Sequence, residues 1–178
     1  NEGLLRRIHL DGPDGTVCTV VRPGAVVGGW EVCMRLTEIV FLALHPALPD
    51  RIPAAGKGCI VNLGFGGRDP RRDEFYCYME TVGGGNGARP GLDGPDGVQT
   101  NLQNTENAPI EEVELNYPLR IRRYELIPDS GGAGRYRGGL GICRDFEFPY
   151  AGCSVTILSD GRKFTPWGLA GGKPGRGA

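Results

Sequence analysis

Glycine constrains this chain more than any other residue type: 31 of its 178 residues are glycine, about twice ordinary usage. The glycines have no fixed period, which excludes a collagen-like chain. Charged residues make up 23% and apolar residues 39% of the chain, too ordinary a balance for wholesale disorder. A folding chain with this many glycines needs many tight turns, or backbone held close to something else. The densest run is Thr81-Val82-Gly83-Gly84-Gly85-Asn86-Gly87-Ala88-Arg89.

The other bulk features mainly exclude functions. A net charge of −1 gives no case for nucleic acid or an anionic membrane surface as partner. No apolar run approaches the roughly 20 residues of a membrane span. Six cysteines, at 18, 33, 59, 77, 143 and 153, show no CxxC spacing and no flanking His pair, so no zinc site is expected. Buried, reduced thiols in a cytoplasmic protein are the expectation. His9 and His45 are the only histidines. The chain opens at Asn1-Glu2-Gly3 and ends in a glycine-rich run, and it is expected to be a piece of a longer chain.

Hydrophobic patterning predicts an α+β fold: mostly antiparallel β-sheet, one amphipathic helix and long Gly-rich loops. The helix is predicted over Trp30–Leu44, with Val32, Leu36, Ile39, Val40 and Ala43 at helical spacing. Glu31, Arg35 and Glu38 take its other face, expected to be solvated or an interface. Pro46 and Pro49 stop it. Strands are predicted at Val17–Val21, Cys59–Phe65, Glu74–Thr81, Leu119–Leu126, Ile142–Phe148 and Val155–Leu158. Alternating Phe75, Cys77 and Met79 mark one face of the third of these. The polar stretch Gly67–Asp73 reads as a long hairpin tip of no fixed chemistry.

Three loops could carry chemistry. Consecutive glycines let backbone approach a ligand and aim N–H groups at it, so Gly83, Gly84, Gly85 and Gly87 form either a plain turn or an anion cradle. Arg89 could clamp a carboxylate or phosphate by two parallel hydrogen bonds. The run is neither a Rossmann fingerprint, since Pro90 stands where the third glycine belongs, nor a P-loop. Between Gln99 and Asn107 lie five amide side chains, suited to recognising a cyclic amide or to a network that pins loops. Gln103, Asn104 and Asn107 are the candidates for orienting a substrate amide. Glu111 and Glu114 would share a face on a helical turn; Glu111 is a candidate for positioning water or a base, and a solvated face or a salt bridge to Arg120 or Arg122 is the alternative. Ser130, in Asp129–Gly141, has no His or Lys partner to make it a nucleophile. Phe164 and Trp167 are aromatic anchors for a core loop or an interface.

Five motifs together resemble the hydantoinase B/oxoprolinase family. They are Glu80–Pro90, Asn104-Thr105-Glu106-Asn107-Ala108-Pro109 with Glu111 and Glu114, Tyr117-Pro118-Leu119-Arg120, Asp129–Gly141, and Pro166–Gly175; the opening Asn1-Glu2-Gly3 also matches. The resemblance runs over essentially the whole chain. It implies that residues 1–178 are the C-terminal part of such a domain, the N-terminal half lying outside them. It further implies ATP-dependent opening of cyclic amides such as hydantoins or 5-oxoproline, in a hetero-oligomer with an A-type subunit that binds ATP and Mg. A divalent metal would then sit in the N-terminal half, and no ligand to it is expected here. Related ketone carboxylases use a similar two-part arrangement, and a purely scaffolding role is a third reading. Many hydrolase members carry His-x-x-Asn-Thr where this chain has Asn101-Leu102-Gln103-Asn104-Thr105. Asn cannot replace His as a base, which leaves room for a carboxylase-like or divergent substrate.

Overall fold

The computed structural model describes residue 3 and residues 6–177. Its elements, in chain order, are helix α1 (Gly29–Leu44), strands β1 (Val61–Asp69) and β2 (Glu74–Val82), the short helix α2 (Ile110–Asn116), and strands β3 (Arg120–Leu126), β4 (Ile142–Glu147) and β5 (Ser154–Leu158). The predicted α+β class is the observed one. All strand pairs are antiparallel: β2-β1-β5 make one sheet, and β3-β4 a separate two-stranded ribbon. The predicted strand at Val17–Val21 is instead a turn, closed by hydrogen bonds between Gly15 and Thr19 and between Thr19 and Thr16. Helix α2 was not predicted as an element.

The β1–β2 hairpin turns more tightly than the polar stretch suggests, because both strands continue to Asp69 and Glu74. Asp69 organises the turn. Its carboxylate accepts from the Arg71 backbone N–H at 2.8 Å and pairs with the Arg71 guanidinium at 2.8 Å. That guanidinium holds the Asp69 carboxyl below the ordinary range. Arg71 and Arg72 then donate to the carbonyls of Glu114 and Leu115, at 3.4 and 3.1 Å. These are last-turn carbonyls of α2, which lack partners inside the helix. The hairpin tip is thus a clamp on α2 rather than a free surface.

Phe65 stands at the centre of the core. Its ring lies 5.1 Å from Tyr78, 5.5 Å from Phe148, 5.9 Å from Phe146 and 6.0 Å from Tyr117. Leu63, Val113 and Leu119 complete a buried cluster, so this core joins the three-stranded sheet, the ribbon and α2. In β2 the inward face is Tyr76, Tyr78 and Glu80, while Phe75 is 82% and Met79 68% exposed. The pairing decides this. Leu63 and Phe65 of β1 face the core, and their partners Glu80 and Tyr78 must share that face.

Glu80 tolerates burial because Arg144 of β4 meets it at 2.7 Å, both side chains being almost fully enclosed. The Tyr78 hydroxyl and the Asn107 amide donate to the other Glu80 oxygen, at 3.0 and 3.1 Å. Asn107 also donates to Thr81 O and accepts from the Tyr124 hydroxyl at 3.0 Å. The Arg144 guanidinium stacks 4.8 Å from the Tyr124 ring.

Helix α1 forms where predicted, but with its faces exchanged. The charged face points inward. Glu31 accepts the Ile60 backbone N–H with both carboxylate oxygens, at 2.8 and 3.0 Å, and Glu38 is buried against Arg35 at 3.0 Å. Burial pushes both carboxyls above their ordinary value, opposed by the Ile60 N–H at Glu31 and by Arg35 at Glu38. The apolar residues Leu36, Ile39, Val40 and Leu44 are between 40% and 59% exposed. An aliphatic stripe of this kind is a contact surface, and the described residues leave it open. The cysteines also depart from expectation: all six are free thiols, but Cys18, Cys33 and Cys77 are exposed.

Removing one partner of a buried ion pair strands the other charge, at a cost of about 3–5 kcal/mol. Arg144→Met is therefore expected to lower the urea midpoint sharply, and Arg144→Lys only partly to restore it. A midpoint unchanged in Arg144→Met would show that the Glu80 network does not hold the two sheets together.

Candidate functional site

The glycine-rich segments come together in space. Residues 53–57, 83–98, 130–141 and 166–176 are laced by main-chain hydrogen bonds, among them Ala54 N to Ala88 O, Lys57 N to Gly85 O, Asn86 N to Pro95 O, Gly139 N to Asn86 O and Lys173 N to Ala133 O. The packing is backbone on backbone. A Cβ on Gly85 would stand 1.9 Å from Gly139 O, and one on Gly87 1.7 Å from Ala54 O. Neither distance is physically possible, so these positions admit only glycine.

The laced loops enclose a cavity of about 840 Å³. Gly83, Gly84, Gly85, Gly87 and Arg89 line it, together with residues from all four segments. The amides of the run are largely engaged within the protein: Gly84 N–H donates to Val98 O, Asn86 N–H to Pro95 O and Gly87 N–H to the Asn86 side chain. Arg89 is exposed at the cavity edge.

The other predicted residues lie elsewhere. Gln103, Asn104, Asn107 and Glu111 do not line the cavity. Asn107 serves the Glu80 network, the loop-pinning alternative for these amides. Gln103 is half-buried, while Asn104 and Glu111 are exposed. Glu114 accepts the Ile121 N–H at 2.8 Å, and Arg122 pairs with Glu147 at 2.6 Å, so the anticipated pairing of Glu114 with Arg120 or Arg122 is not made. Ser130 is fully employed, donating to Ile127 O at 2.7 Å and accepting from Gly141 N at 2.8 Å. Asp96 fixes the loop before β4 through Arg137 and the Leu140 N–H, each at 2.7 Å. Among the described residues no three His, Cys, Asp or Glu side chains gather to hold a metal ion.

Sequence reasoning missed the charge of the cavity. Lys57, Arg89, Arg135, Arg162, Lys173 and Arg176 line it against a single carboxylate, Asp50. In a chain of net charge −1 this is a marked local excess of cations. Lys57 and Arg176 are more than 100 residues apart, so no local window reveals the cluster. Lys57 Nζ donates to Val82 O and, at 3.0 Å, to Gln99 Oε1. Loss of water pushes its pKa down to about 8, against the pull of Cys59 and Glu31.

The model of the Hydantoinase B/oxoprolinase family matches residues 1–178. The chain belongs to the hydantoinase B/oxoprolinase family. An uncharacterised protein of Methanocaldococcus jannaschii is 42% identical over 98% of this chain and 30% of its own length. The B-type component of a putative D-/L-hydantoinase from a Pseudomonas species is 35% identical over 98% of this chain and 29% of its own. The chain thus spans less than a third of the length of these relatives. A nucleotide-free acetone carboxylase structure shares the fold, with a TM-score of 0.58 and 24% identity over 71% of this chain and 17% of that one. No helix among the described residues is long and apolar enough to cross a membrane.

Two measurements test this geometry. Gly85→Ala and Gly87→Ala must separate packed backbones, so each is expected to lose at least ~3 kcal/mol or fail to fold. Gly29→Ala, at the start of α1 with nothing within 4 Å of the new methyl, is expected to be neutral or stabilising. Equal urea midpoints for the three variants would contradict the packing. The depressed Lys57 pKa gives a pH signature. The folded amine gives up its proton near pH 8 and the unfolded amine near its ordinary 10.5, so folding is penalised below pH 8 and relieved as pH rises through that window. Wild type is expected to gain stability relative to Lys57→Met between pH 7 and pH 10. A flat difference would mean that the amine is solvated.

Proposed function

We propose that this chain forms the glycine-laced, substrate-facing part of a B-type subunit that opens cyclic amides in an ATP-dependent reaction. The observation that carries this reading is the cation-lined cavity formed by the glycine run Gly83–Gly87 and Arg89, in a chain of the hydantoinase B/oxoprolinase family. A cavity of several hundred cubic ångströms suits a small ring compound. Its excess of cations suits a carboxylate or phosphate on that compound. In this reading Arg89 contacts the anionic group, and the glycine backbone shapes the wall against which the ring lies. ATP and Mg belong to an A-type partner in a hetero-oligomer, and any divalent metal to protein outside these residues. The chemistry then requires the assembled enzyme, and the 178-residue chain alone turns nothing over.

A second reading, an ATP-dependent ketone carboxylase subunit, is favoured by Asn101 standing where many hydrolase members carry His. Turnover by the assembled complex separates the two: hydantoins and five-membered lactams against ketones with bicarbonate, each with ATP. In the hydrolase reading Arg89→Ala is expected to lower kcat/KM for a carboxylate-bearing lactam by at least about tenfold, the loss of one charge-assisted contact. An unchanged kcat/KM would remove Arg89 from the site.

A further inference from the structure

Six cationic side chains line the cavity, and five of them, Arg89, Arg135, Arg162, Lys173 and Arg176, are exposed to water. Lys57 is the exception. It lies half-buried between the buried glycines Gly56 and Gly58, next to the buried Cys59. Its stem runs across Gly84, where a Cβ would stand 2.8 Å from Lys57 Cδ. The glycine run therefore makes room for this side chain as well as for neighbouring backbone. Two acceptors orient the amine, Val82 O and Gln99 Oε1, and Gln99 is itself fixed by donating to Thr81 Oγ1 at 3.2 Å. An ammonium has three donors, so one is left for a ligand.

None of the ion pairs among the described residues includes Lys57. A cation drawn out of water without a carboxylate partner is costly. The charged and titratable groups around it are Glu31 from α1, Cys59 on its own segment, and, along the cavity lining, Asp50 and the loop cations. Asp50 is the single carboxylate in the lining, set against six cations.

We propose that Lys57 is the anchor of the anionic group, carboxylate or phosphate, of a small ligand held in this cavity. The assignment rests on the reading of the cavity as a substrate site. An anion beside the amine favours the ammonium form and so raises its pKa. Binding accordingly takes up protons around pH 8 and weakens as pH rises beyond it.

Competitive acylation of the chain, read peptide by peptide with mass spectrometry, tests the proposal, since Lys57, Lys163 and Lys173 are the only lysines. The probes are inorganic phosphate, a five-membered lactam bearing a carboxylate, and the same lactam without it. At pH 7 one of the two anions is expected to slow acylation of Lys57 at least about fivefold relative to the exposed Lys163, which lies outside the cavity lining, while the uncharged lactam does not. Which anion protects identifies the ligand group. In Lys57→Arg, whose charge persists at all working pH values, calorimetric binding is expected to lose its decline between pH 7 and pH 9.5. In Lys57→Met, binding is expected to fall at least about tenfold. Absence of protection by both anions, equal protection at Lys57 and Lys163, or wild-type affinity in Lys57→Met would overturn the assignment. The labelling uses the wild-type chain, so it stands even where a variant fails to fold. Protection of Lys57 with an unaffected Arg89→Ala enzyme would keep the anion site and remove the substrate-site reading. A defective Arg89→Ala enzyme beside a Lys57→Met variant of wild-type affinity would do the reverse.

Discussion

The contact between Glu80 and Arg144 is what the rest of the architecture depends on. It sits where β2 of the three-stranded sheet faces β4 of the ribbon, and both side chains are enclosed. A buried carboxylate needs partners, and here Tyr78 and Asn107 donate to one Glu80 oxygen while Arg144 pairs in charge with the other. Asn107 brings the amide-rich loop with it, and Tyr124 brings β3. The aromatic cluster around Phe65 lies beside this network and supplies apolar burial. One polar cluster thus sets the relation of two sheets and a loop that apolar packing alone would leave free to slide.

Much of this was legible from sequence, and the failures have physical causes. Six strands were predicted; five formed, four within a residue of their expected bounds and β1 running four residues past its expected end at Phe65, because alternation and turn residues are local signals. The sixth, Val17–Val21, has strand-like composition but no neighbour to pair with among the described residues, and its backbone closes on itself instead. The face of β2 was unreadable because Phe75, Cys77 and Met79 are the more apolar set. What buries Tyr76, Tyr78 and Glu80 is a partner strand and an arginine 64 residues further on. Helix α1 failed in the same way: periodicity located it, yet its inward face was chosen by the Ile60 N–H, which needed an acceptor and found Glu31.

The candidate site divides along the same line. The glycine run and Arg89 were visible because composition marks them. The remaining cavity cations were not, since arginines and lysines scattered over three separate loops carry no signal until the loops converge. Amide density proved ambiguous in a telling way. Gln99 and Asn107 make intramolecular bonds that hold Lys57 and Glu80, so a cluster of amides reports a need for polar satisfaction before it reports a ligand.

The forbidden Cβ positions at Gly85 and Gly87 bear on how family likeness should be interpreted. A side chain at either would collide with main chain, whatever reaction the protein ran. The motif most useful for recognising the scaffold is thus dictated by the thickness of a peptide backbone. A constraint of that kind is set by the fold and is indifferent to the substrate. Discrimination among reactions has to be sought in the residues that point away from the stack and into the open volume, where the chain is free to vary.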